Sequence, residues 1–242
     1  MNMGMSMSPT SWWAMHLTLT TVVVFGLLSV AVWWWSTRAR APRVRLLVLV
    51  ALTFLYWGSV FEQYALGDYS IHMAGHLIIF MVLAPLAASA ISWRASALTA
   101  TLGFVGITVL IPLYHLTRLG GYVMRHAVGH VSENLLFFLI GAVFWLPVYG
   151  RQSTFSALQR FAYVVLASPI AVTTGLVLWS ATAQDAERYA MNMSMVSIAD
   201  IHRGGLVMIE LGCVAAAVHA AILGGFALRD HAHRRIPDGA LR

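Results

Sequence analysis

Tyr69-Ser-Ile-His72-Met-Ala-Gly-His76-Leu-Ile-Ile-Phe-Met-Val-Leu-Ala-Pro85 sets two histidines at the mouth of an apolar run that continues past Pro85. The four-residue spacing puts both imidazoles on one helical face, one turn apart. Two side chains so placed can hold one metal ion. The residues behind them are nearly all aliphatic and predict a membrane-spanning helix. The pair therefore falls where a helix leaves the bilayer.

The rest of the chain has the same character. Of 242 residues, 60% are hydrophobic and 10% charged, against roughly 25% charged in a soluble domain. This is the composition of an all-α polytopic membrane protein. All 15 basic residues are arginine, and the net charge is +6. That charge does not imply a nucleic-acid partner, because the arginines follow topology. Arg38, Arg40, Arg43, Arg45, Arg94, Arg151, Arg160, Arg229, Arg234, Arg235 and Arg242 fall in alternate loops or the C-terminal tail. Arg118, Arg125, Arg188 and Arg203 make up the other set, and the asymmetry is the positive-inside pattern. The single cysteine, Cys213, excludes an internal disulfide and argues against a thiolate cluster.

The apolar runs predict seven transmembrane helices, at about Trp12–Ser36, Val44–Glu62, Ser70–Ile91, Ala95–His115, His126–Tyr149, Phe161–Thr182 and Asp200–Leu228. The N-terminus is expected outside and the C-terminus in the cytoplasm. Residues 1–11 form a Met-rich outer leader, 12–228 the transmembrane domain, and 229–242 a basic cytoplasmic tail. No cleavable signal peptide is expected, because the arginines follow the first apolar run rather than precede it. Pro85 should free a carbonyl near Met81, which a neighbouring helix must cover.

This topology gathers chemistry at one membrane face. His16, His72, His76, His115, His126, His130 and His202 are all expected at the outer end. The leader methionines Met1, Met3, Met5 and Met7 lie there too, as do Met191, Met193 and Met195 in the longest outer loop. Thioethers are soft, neutral ligands suited to Cu(I). The plain alternative is a leader whose methionines have no role. In the fifth span His126, His130 and Glu133 step by four and three onto one sector. A carboxylate at the edge of the hydrocarbon is costly and marks a functional site. It could also serve as the partner that orients a ligand imidazole. The seventh span opens with Asp200 and His202, followed by Gly204-Gly205, which would admit a close helix neighbour. Asp200 has a competing reading as a helix cap. The candidate metal ligands are thus His72, His76, His126, His130, Glu133, Asp200 and His202. Imidazole with thioether favours copper over magnesium or calcium, while zinc fits imidazole and carboxylate.

The stretch Tyr69-Ser-Ile-His72-Met73-Ala-Gly-His76-Leu, followed by Leu83-Ala84-Pro85-Leu86, resembles the signature of the CtaG family of seven-helix cytochrome c oxidase assembly proteins. His130-Val-Ser-Glu133, Phe144-Trp145-Leu-Pro147, and Asp200, Gly205 and Met208 add to the likeness, which spans about residues 15–228. The chain departs from the family pattern at Asn134, where a histidine is common. It departs again at Ile201 and Ile209, near which a glutamine and a tryptophan are common. The resemblance implies an integral protein of the bacterial cytoplasmic membrane that helps mature a haem–copper oxidase by delivering copper. Its expected partners are oxidase subunits or other copper chaperones.

The main expectation is therefore a copper-handling assembly factor rather than an enzyme. One rival is a zinc-dependent membrane hydrolase, with histidines and an aspartate activating water. Another is an electron carrier holding haem between histidines of facing helices.

Overall fold

The computed structural model describes residues 48–49, 52, 68–120, 127–182, 184–185 and 197–235. Among these, five helices are long and apolar enough to cross a membrane. They are α1 (Tyr69–Ala90), α2 (Ala97–His115), α3 (Ala127–Tyr149), α4 (Ala157–Trp179) and α5 (Ile198–Arg235). The described residues contain no strand. The protein is an α-helical membrane protein. The first two expected spans lie outside the described residues, apart from helical positions at Val48, Leu49 and Leu52.

α1 is the central helix. In its most apolar stretch 83% of residues are buried, against 28–56% in the other four. Asp68 caps it, accepting from the amides of Ser70 (2.8 Å) and Ile71 (3.2 Å). α2 shows the opposite pattern. Leu98, Leu102, Val105, Val109 and Leu113 recur at helical spacing and stay exposed, as a lipid-facing surface requires.

α1 does not run straight through. Residues Ile79–Leu83 form one π-helical turn before Pro85. Proline has no N–H to give the carbonyl four residues earlier, and its ring crowds that carbonyl. The π turn relieves the crowding, and side chains from two other helices satisfy the exposed carbonyls. Trp145 Nε1 of α3 donates to the Phe80 carbonyl at 2.7 Å. His219 Nε2 of α5 reaches the Met81 carbonyl at 3.4 Å. The carbonyl expected to need cover is covered.

The glycines at the start of α5 admit close neighbours. A Cβ on Gly205 would lie 2.6 Å from the Gly175 carbonyl of α4, and one on Gly204 would strike the Tyr69 ring of α1. α4 and α5 therefore meet backbone to backbone, and α5 seats its first turns on the first turn of α1.

Two boundaries depart most from expectation. α4 starts at Ala157 rather than Phe161, because Ser156 and Gln159 form a capping box ahead of the apolar run. Arg160 consequently sits inside the helix, where its guanidinium donates to the carbonyls of Phe155 (2.9 Å) and Val148 (3.1 Å). α5 continues to Arg235, through half of the expected tail. Nothing between Leu228 and Arg235 breaks a helix; the first proline is Pro237.

Candidate metal centre

The start of α1, the end of α2 and the first turns of α3 meet at one end of the bundle. The four-residue step brings the His72 and His76 rings to 4.4 Å between centroids. Both are buried, at 1% and 5% exposure. From α3, Glu133 enters between them, itself 1% exposed. Its Oε1 lies 3.2 Å from His72 Nε2 and 2.8 Å from His76 Nε2. One ligand atom from each of the three residues falls within 4.8 Å of the others.

A carboxylate buried at this depth needs a cation or hydrogen-bond donors. Two imidazoles converge on a single oxygen of Glu133. Its second oxygen, Oε2, and the nearby Tyr69 hydroxyl are buried and have no hydrogen-bond partner among the described residues. Two imidazole nitrogens and a carboxylate match the donor chemistry of zinc or copper. The spare carboxylate oxygen adds capacity for an ion. The residues present therefore fit a metal ion.

A further layer holds His76 in place. The Phe137 ring of α3 stacks on it at 4.3 Å and 13°. His115, at the last position of α2, sets Nε2 3.1 Å from His76 Nδ1. His115 Nδ1 in turn donates to the Ile111 carbonyl at 2.7 Å. Below this pair lies a cavity of about 50 Å3 whose lining includes Met73, Met81, Met208 and Trp145. That volume admits a few water-sized groups; it is far too small for a porphyrin.

The expected ligands separate into three groups. His72, His76 and Glu133 come together, and they alone form such a cluster among the described residues. Asp200 and His202 lie on α5 with other partners. Asp200 Oδ2 accepts from the Ser197 amide (3.0 Å) and hydroxyl (2.8 Å), and Oδ1 pairs with Arg203 at 2.7 Å. It works as a capping residue at the third position of α5. His202 Nε2 donates to the Ala181 carbonyl at 2.9 Å, tying α5 to the end of α4. His130 is helical, with its side chain outside what is described. His126 and all seven candidate methionines, Met1, Met3, Met5, Met7, Met191, Met193 and Met195, lie outside the described residues.

His115 was absent from the expected ligand set. Its only sequence signal was its place among the outer-face histidines, because it has no partner at helical spacing on its own helix. Asn134, the departure from the family pattern, is fully buried beside Glu133.

A family model described as "Cytochrome c oxidase caa3 assembly factor (Caa3_CtaG)" matches residues 87–229. The matched stretch covers α2 to α4 and most of α5, including His115 and Glu133; His72 and His76 precede it. No curated protein and no solved structure matches the chain.

Proposed function

This chain belongs to the cytochrome c oxidase caa3 assembly factor family, and on that premise we propose that it holds a copper ion at the outer end of its bundle for delivery to the oxidase. His72 and His76 are the imidazole ligands and Glu133 the carboxylate that balances the charge. The observation that carries this reading is the convergence of both imidazoles on one buried carboxylate oxygen, at 3.2 and 2.8 Å. Family membership supplies the context of oxidase maturation. The donor set and the thioethers around the cavity supply the preference for copper.

The arginine distribution supports an extracytoplasmic position for this end of the bundle. The methionines of residues 1–7 and 191–195 would collect copper there, and an oxidase subunit or another copper chaperone would receive it. Two imidazoles and one carboxylate leave coordination positions open, which suits a site that must release its ion.

Zinc is the competing ion, because two histidines and a glutamate also satisfy it. A haem carrier is disfavoured: His76 and His115 touch directly at 3.1 Å and leave no room for a porphyrin between them.

The test is metal analysis of the detergent-purified protein beside a His72→Ala/His76→Ala variant. Cells carrying each form are assayed in parallel for the copper content of their oxidase. Copper bound by the parent and lost from the variant, with a copper-poor oxidase in variant cells, is the expected result. Equal copper in both proteins would sink the assignment. Stoichiometric zinc would move it to the hydrolase, and a Soret band to the haem carrier.

A further inference from the structure

We infer that His115 is a positioning residue that holds a hydrogen on His76 Nδ1, so that Nε2, the nitrogen aimed at Glu133, is the one His76 offers to an ion. The inference rests on the reading of His76 as a metal ligand.

The argument follows a chain of hydrogen bonds from a terminus that can only accept. The Ile111 carbonyl has no hydrogen to give, so His115 Nδ1, 2.7 Å away, carries one. A neutral imidazole protonated at Nδ1 presents its lone pair at Nε2. His115 is 1% exposed, and this Nε2 faces His76 Nδ1 at 3.1 Å. His76 therefore places its hydrogen on Nδ1. Its Nε2 lies 2.8 Å from Glu133 Oε1, so it points a second hydrogen at the carboxylate while no ion is bound, and an ion displaces that hydrogen rather than the one held on Nδ1. Phe137, stacked at 4.3 Å on the His76 ring, opposes the ring flip that would exchange the two nitrogens.

The same geometry excludes His115 as a ligand to that ion. Its one unprotonated nitrogen points at His76 Nδ1, on the side of the His76 ring away from Glu133. Ligand imidazoles need this kind of partner on their second nitrogen, and losing it costs about 10–100-fold in metal affinity. Leucine at position 115 would remove the acceptor and let His76 carry its hydrogen on Nε2, where the ion needs the lone pair. Glutamine would keep a carbonyl oxygen near the place of Nε2.

The experiment uses the full chain in detergent with nitrogen-15 labelled histidine. Imidazole nitrogen–proton correlation spectra of metal-free protein report the tautomers directly. Competition with a chromophoric Cu(I) chelator gives affinities, and X-ray absorption counts imidazoles around bound copper. In the parent protein His76 should be protonated at Nδ1. His115→Leu should remove that proton, leaving His76 protonated on Nε2 alone, and weaken Cu(I) binding about 10–100-fold, with the imidazole count unchanged. His115→Gln should bind within a few-fold of the parent. Three results would overturn the inference: a His76 without a hydrogen on Nδ1 in the parent, one fewer imidazole on copper in His115→Leu, or parental affinity in that variant. If the parent binds no copper, the metal reading fails, while the metal-free spectra still decide the role of His115.

Discussion

At the start of α1, His72 and His76 share the single oxygen Oε1 of Glu133. Further along the same helix, the carbonyls of Phe80 and Met81 meet Trp145 and His219. Both clusters bury imidazoles in the bundle, and both join α1 to α3. At the second, His219 Nδ1 lies 2.6 Å from the Tyr149 hydroxyl, its Nε2 meets the Met81 carbonyl, and its ring packs on Trp145 at 4.4 Å. These contacts end on a hydroxyl and a carbonyl and involve no charged group. That is a closed network, whose work is to cover the carbonyls freed by Pro85. At the first cluster a carboxylate stands in the centre, and its Oε2 has no hydrogen-bond partner among the described residues. Burial of a histidine therefore does not by itself mark a site. What sets the candidate site apart is the convergence of several donors on one point, around an anion.

The sharpest way to break this contrast is to remove the anion alone. Glu133→Gln keeps the shape of the side chain and removes its charge. Losing one member of a buried charged set costs about 3–5 kcal/mol. Cu(I) affinity should accordingly fall on the order of 100-fold or more in a chelator competition. Parental affinity in this variant would make Glu133 an orienting partner of the imidazoles rather than a ligand.

The counterpart at the closed network is His219→Phe. It keeps a ring against Trp145 and strips the partners from the Tyr149 hydroxyl and the Met81 carbonyl. Each buried polar group so orphaned costs about 1–3 kcal/mol. A denaturant titration should show the bundle weakened by that order, with copper affinity unchanged. Reduced copper binding would mean that the two clusters communicate through the cavity between them.

What was legible in the sequence divides along the same line. The apolar runs placed α1, α2 and α3 within two residues at each end, since a membrane span needs about 20 apolar residues and little else. His72 and His76 were legible because they lie one turn apart on one helix. Glu133 was legible because an ionisable group is costly at that depth. Pro85 announced a freed carbonyl, but the helices that would cover it could not be read, since nothing local to Trp145 or His219 points to α1. His115 was hidden for the same reason: its partner is 39 residues away on another helix. Arg160 misled in the other direction. Its charge marked a loop, yet its long side chain reaches the Val148 carbonyl from inside α4. The family match adds context for the whole bundle but begins after the histidine pair.

The smallest expected effect tests where the site ends. Asp200 was a candidate ligand, and the structure gives it a capping box with Ser197 and an ion pair with the half-exposed Arg203. A lost cap costs about 1 kcal/mol, and a solvent-screened pair adds a few tenths at most. Asp200→Ala should therefore lower stability by about 1 kcal/mol and leave copper affinity at the parental value. The cap acts only on the first turn of α5, whereas the imidazoles and Glu133 are set by α1 and α3. A loss of copper on the scale of Glu133→Gln would bring Asp200 into the ligand set. The boundary between the candidate metal centre and the supporting start of α5 would then have to be redrawn around Tyr69, the ring that Gly204 admits next to His72.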